Sequence, residues 1–162
     1  MAFLNALHEM PLSVWALQSS WVYYSLLAVH AIGMAGVVGS TYMLCLRVLG
    51  YAQGVAVADI GRLRAVAWAG FLANAISGVM LFCCDAVTLA FNGTFQIKMI
   101  SIVLGGIAVW VLWRTVGRDP SQEDSYFTYG AGAKAIAITT FAFWTAAIIF
   151  GRHIAYTIDP IL

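Results

Sequence analysis

Of the three histidines in this 162-residue chain, two lie in or at the end of long apolar runs. His30 sits within "WVYYSLLAVHAIGMAGVVGS", and His153 follows Arg152 in "AIIFGRHIAY". Neutral imidazole is the commonest protein metal ligand and a standard axial ligand of haem iron. Two such rings facing each other across a helix bundle could hold a b-type haem. Gly33 would leave room beside the first ring, and Arg152 could pair with a propionate. A b-type haem has no covalent attachment signature, and CxxCH is absent. A copper reading competes: His30 and Met34 are spaced i, i+4, and Met80 and Met99 could add soft thioether ligands. The plain alternative is that His30 hydrogen-bonds a neighbouring helix and His153 is hydrated at an interface.

Those residues need elements to position them, and composition says which. The chain is 62% hydrophobic and 9% charged, with a mean hydropathy of +0.89. Soluble domains average about 25% charged residues. A soluble chain of this size could not hide so much apolar surface, so lipid is its expected solvent. Charged and turn residues mark four apolar blocks, at about 21–49, 63–91, 95–116 and 131–156. Each reaches the roughly 20 residues a helix needs to cross a bilayer. Backbone groups in lipid must be satisfied within the segment, which favours helices. The short loops "GYAQGVAVADIG" and "NGT" make neighbours antiparallel. The segment 117–130, "GRDPSQEDSYFTYG", is the polar linker.

The expected fold is therefore all-α: one transmembrane domain over residues 1–162, a four-helix up-down bundle, with a short helix near the N-terminus lying on the membrane surface. That surface segment, "LNALHEMPLSVWALQSSW", contains His8 and Glu9, which would face water or a partner; ligation by His8 is a minor option. Arg47, Arg62, Arg64, Arg114, Arg118 and Lys134 flank one set of loops, against Lys98 and Arg152 on the other face. This asymmetry puts both termini outside, which in a bacterium means the periplasmic face of the inner membrane. Trp21, Tyr23, Tyr24 and Tyr156 would form an aromatic belt there. In an up-down bundle the first and fourth spans are neighbours, which brings His30 and His153 to the same side. His30 lies about 9 Å inside Tyr24, and His153 about 4–5 Å inside Tyr156.

Other polar residues have simpler readings. Gly70, Asn74 and Gly78 share a face on the second span and suggest close helix packing, with Asn74 as an interhelical hydrogen-bond donor. On the fourth span Thr139, Ala142, Ala146, Ile149 and His153 share a face. Ser40, Ala142 and Ala146 add to the small residues that would make room for a macrocycle. Cys83 and Cys84 are small apolar fillers. Arg47, Arg64, Arg114 and Lys134 are expected to snorkel to the inner boundary, and Lys98 and Asp85 to pair across the loop between spans two and three. No acid pair, nucleophile beside a base, or phosphate loop is present, so an enzyme acting on its own is not indicated. A net charge of +1 gives no pull toward nucleic acid. Two roles fit: a redox subunit carrying haem near the outer face, or an accessory protein held to other membrane subunits or to its own copies by small-residue faces.

"HAIGMAGVVGSTYMLCLRVLG", "WAGFLANAISGVMLFCCDA", "FNGTFQIKM" and "GRHIAY" together resemble a family of small bacterial four-helix membrane proteins of unknown function. The likeness covers most of the chain from Val29 to Tyr156. It implies four helices with the N-terminus outside, and no activity, substrate or cofactor. A weaker likeness, the first-span histidine followed by glycines, is to copper-resistance membrane proteins of the D type and to membrane cytochromes b.

Overall fold

A computed structural model describes residues 2–55, 57–116 and 127–157. The linker portion 117–126, which includes Arg118, and the segment 158–162 lie outside the described residues. Among the described residues all regular structure is helical: α1 (Ala2–His8), α2 (Pro11–Gln18), α3 (Ser20–Leu49), α4 (Val57–Gly61), α5 (Arg64–Cys84), α6 (Ala86–Phe91), α7 (Gly93–Val116) and α8 (Ala131–Thr157). Four stretches among the described residues are long and apolar enough to cross a bilayer: Trp21–Leu49, Asp59–Cys84, Gly93–Val116 and Ala131–Thr157. The protein is thus an all-α bundle of four membrane-spanning helices.

Two boundaries differ from the sequence expectation. The apolar run 63–91 is two helices, broken at Asp85, whose backbone (φ −142°, ψ 51°) is not helical. The surface segment is also two helices, α1 and α2, with Pro11 opening the second. They do not lie apart from the bundle. α1 packs on α5 and α6, and α2 on α3 and α5. Together with α6 they roof the rim where α3 begins and α8 ends, called here the terminal rim.

The long helices form two tight pairs joined along one seam. α3 packs along α5, α8 packs along α7, and α3 meets α8 between the pairs. Glycine is the reason the first pair is tight. A Cβ built on Gly33 would sit 2.7 Å from both the Asn74 nitrogen and the Gly70 oxygen, and one on Gly70 would sit 2.7 Å from the Gly33 oxygen. Backbone lies directly against backbone there, the close approach that small residues permit between helices in lipid. In the second pair the Trp144 indole covers Gly105, with ring atoms 3.2–3.3 Å from a Cβ built there. The seam is fastened by Tyr42, which stacks on Phe141 (centroids 4.1 Å apart) and hydrogen-bonds Thr145 at 2.7 Å.

α5 and α7 do not pack along one another. They meet through side chains at the two ends: Phe82 stacks on Phe95 at the terminal rim, and Arg64 lies over Trp113 at the opposite rim. Hydroxyls within the spans bond back to the preceding turn. Ser40, Thr41, Ser77, Ser101, Thr140 and Thr145 each donate to the carbonyl four residues earlier. This satisfies them in lipid without any ligand.

Arg47 does not snorkel. It is 1% exposed, with Nε donating to the Val55 carbonyl at 2.7 Å and Nη1 to the Phe127 carbonyl at 3.0 Å. Its guanidinium carbon lies 5.7 Å from the centre of the Tyr129 ring. The side chain ties the loop after α3 to the segment entering α8. Arg114 stays at the surface over Trp110, as a boundary cation should.

Candidate functional site: a polar-tipped cavity below the terminal rim

The gap between α5 and α7 widens toward the terminal rim into a cavity of about 700 Å³. All four long helices line it: Leu27 and His30 from α3, Gly78 and Phe82 from α5, Phe95 and Lys98 from α7, Gly151 and Ile154 from α8. Leu17 of α2 and Leu89 of α6 reach its mouth, with Asp85 beside them. The size falls in the range of small-molecule sites, and the lining has their character: apolar walls and a few polar groups.

His30 is the best-positioned of these groups. Its Nδ1 lies 3.0 Å from the Asn74 carbonyl oxygen and 3.1 Å from Ser77 Oγ. The carbonyl can only accept. The Ser77 hydroxyl sends its one hydrogen to the Ala73 carbonyl at 2.6 Å. Nδ1 must therefore carry the proton, and in the neutral ring Nε2 holds the free lone pair. Among the described residues Nε2 has no hydrogen-bond partner. This is how proteins prepare a ligating histidine: a second group fixes the tautomer and ring orientation through the other nitrogen. Gly78 supplies the seat, since a Cβ there would come within 3.0 Å of the imidazole Cε1. Asn74 returns the contact, its Nδ2 donating to the His30 carbonyl at 2.7 Å. Asn74 is thus the interhelical donor its place on the glycine face suggests.

Asn74→Ala removes that bond and leaves the His30 carbonyl without it. Interhelical hydrogen bonds in membranes contribute about 0.6–2 kcal/mol. A loss of stability in that range is expected, read by thermal melting in detergent; a gain would show that the α3–α5 contact does not depend on the amide.

His153 does not join His30. It is exposed, whereas Gly151, Ile154 and Ala155 line the cavity. The stripe that carries it is the outward face of α8: Thr139, Ala142 and Ile149 are exposed as well. The inward face is Ala133, Ala137, Thr140, Trp144 and Ala147. Arg152 is also exposed at the rim, where an interface anchor belongs. Gly33 gives no room to a ligand, because the α5 backbone takes up the space beside it. Nor are the copper candidates gathered. Met34 packs with Val37, Val38 and Trp144, and Met99 is exposed. Among the described residues no group of three or more His, Cys, Asp and Glu side chains could hold a metal ion.

Lys98 also departs from the sequence expectation. It was expected to pair with Asp85, but the ion pair within 4 Å among the described residues is Arg62–Asp59, at 3.0 Å. Lys98 and Asp85 both line the cavity without touching. The signal was available, since a cation one to two turns inside a span is costly and points to a function. His8 is exposed, as expected of the surface segment, and its Nδ1 lies 2.7 Å from the Cys84 carbonyl, holding α1 to the end of α5. Of the aromatic belt, Trp21, Tyr24 and Tyr156 are exposed at this rim, while Tyr23 turns partly inward to the cavity. The chain matches no protein-family model, no curated protein and no solved structure, so the bundle and this cavity are the grounds on which its function is judged.

Proposed function

We propose that this multi-pass membrane protein holds a b-type haem in the cavity below its terminal rim, with His30 as the protein ligand to the iron. The observation that carries the reading is the fixed His30 tautomer. Asn74 and Ser77 engage Nδ1, which leaves the Nε2 lone pair free on a residue lining a space of about 700 Å³ whose walls are largely apolar. The donor set fits a haem held by one proximal histidine better than one clamped between two, because His153 lies off the cavity wall. When bound, haem would supply one-electron redox chemistry, and the polypeptide positions and tunes it. The chain's own contributions are the oriented imidazole, the glycine that seats it, and the Leu27, Phe82, Phe95 and Ile154 walls that limit water. Basic residues clustered at the opposite rim support a periplasmic location for the cavity, so that electrons would be exchanged near that face.

The test is spectroscopic. Protein purified from haem-replete cells is expected to show a Soret band. His30→Ala should lower haem content at least about tenfold, since loss of even an outer-shell partner of a metal ligand costs about 10–100-fold in affinity. His153→Ala should leave the band in place. Colourless, folded wild-type protein refutes the reading, and so does a His30→Ala variant that keeps its full Soret intensity.

A further inference from the structure

We propose that Lys98 is an anion-binding group and that the cavity takes an amphiphile bearing a carboxylate. Lys98 lies five residues past the start of α7, about 7.5 Å along the helix. Its stem crosses Gly151 of the neighbouring helix: a Cβ built there would meet Cε at 3.4 Å, Cδ at 3.5 Å and Nζ at 3.6 Å. The glycine thus provides the track along which the lysine runs, and Lys98 lines the cavity. Among the described residues its ammonium makes no hydrogen bond and no ion pair. Asp85, the other charged residue lining the space, lies beyond ion-pair distance.

An ammonium on the wall of a cavity that Leu27, Leu81, Phe82, Phe95 and Ile154 also line is costly in the free protein, and a counter-charge brought by a ligand lowers that cost. The Lys98 end of the cavity therefore favours an occupant with an apolar body for the leucine, phenylalanine and isoleucine walls and an acidic end for the ammonium, while Asp85 lies on the same lining beyond ion-pair distance of Lys98. A carboxylate on an apolar body satisfies both. It can come from a haem propionate or from a fatty acid. Only the first source rests on the haem reading; the cation and its surroundings stand without it.

The experiment uses full-length protein purified from haem-depleted cells and three probes: a dansyl-labelled undecanoic acid, its methyl ester, and haemin. The acid is expected to bind about tenfold or more tighter than the ester, the ratio a single charged hydrogen bond supplies. Lys98→Arg should keep that preference. Lys98→Gln and Lys98→Met should erase it while still binding the ester. Equal binding of acid and ester by the wild type overturns the proposal, as does a preference that survives in Lys98→Gln. Displacement of the acid by haemin supports propionate as a source of the carboxylate. Acid preference without displacement supports the Lys98 site with a fatty acid as its ligand and counts against haem alone.

Discussion

Gly33→Ala is expected to destabilise the protein by about 3 kcal/mol or more. The added methyl would meet the Asn74 nitrogen and the Gly70 oxygen at 2.7 Å, and both are backbone atoms that cannot rotate away. α3 and α5 would have to separate, stretching the Asn74–His30 bond along with the contact. Overpacking typically costs 1–3 kcal/mol even where side chains can give, so this value is placed at the top of that range or above it. Gly39 is the matched control. It lies on the same helix, nothing stands within 4 Å of a Cβ built there, and alanine is the better helix former by about 1 kcal/mol. Gly39→Ala should melt at or above the wild-type temperature. If Gly33→Ala melts with it, the two helices are not in backbone contact.

Arg47→Ala should be at least as damaging, by about 3–5 kcal/mol. The side chain is fully buried and donates to two carbonyls in separate loop segments. Removing it leaves both acceptors without that donor in a region closed to water and opens a hole the size of a large side chain. The loops it joins should open, so limited proteolysis at this rim, followed with the thermal melt, gives a second measurement. Arg47→Lys should recover part of the loss, because an ammonium cannot present the planar fork that reaches Val55 and Phe127 together. Arg62 is the comparison. Its side chain is 84% exposed, its pair with Asp59 is a surface pair, and Arg62→Ala should change stability by less than about 1 kcal/mol. Equal effects at the two arginines would remove Arg47 from its structural role.

The bundle was legible in the sequence because length and hydropathy are enough to count spans, and short loops dictate antiparallel order. The Gly70, Asn74 and Gly78 stripe pointed to the tight helix pair, because small residues in lipid have few uses besides close packing. The facing of α8 was not legible. In water a helix shows its buried side by its apolar stripe, but in lipid both sides are apolar and the phase is lost. The face carrying Ala142, Ala146 and His153 looked as suitable as the face carrying Thr140, Trp144 and Gly151, and only packing against α3 and α7 distinguishes them. Arg47 and Arg114 look alike as boundary cations for a related reason: whether a loop folds back over a charge is a tertiary matter. The break at Asp85 was hidden because hydropathy runs on through Ala86–Phe91 while the backbone turns.

The Tyr42–Thr145 bond and the Tyr42–Phe141 stack join the two helix pairs well away from the cavity. Tyr42 is twelve residues from His30 along α3, about 18 Å of lever arm. By that arm a swing of only about 5° between the two helix pairs would move the walls at His30 by roughly 1.6 Å. Substitutions at Tyr42 or Phe141 that let the pairs swing would therefore alter the calibre of a space these residues do not line.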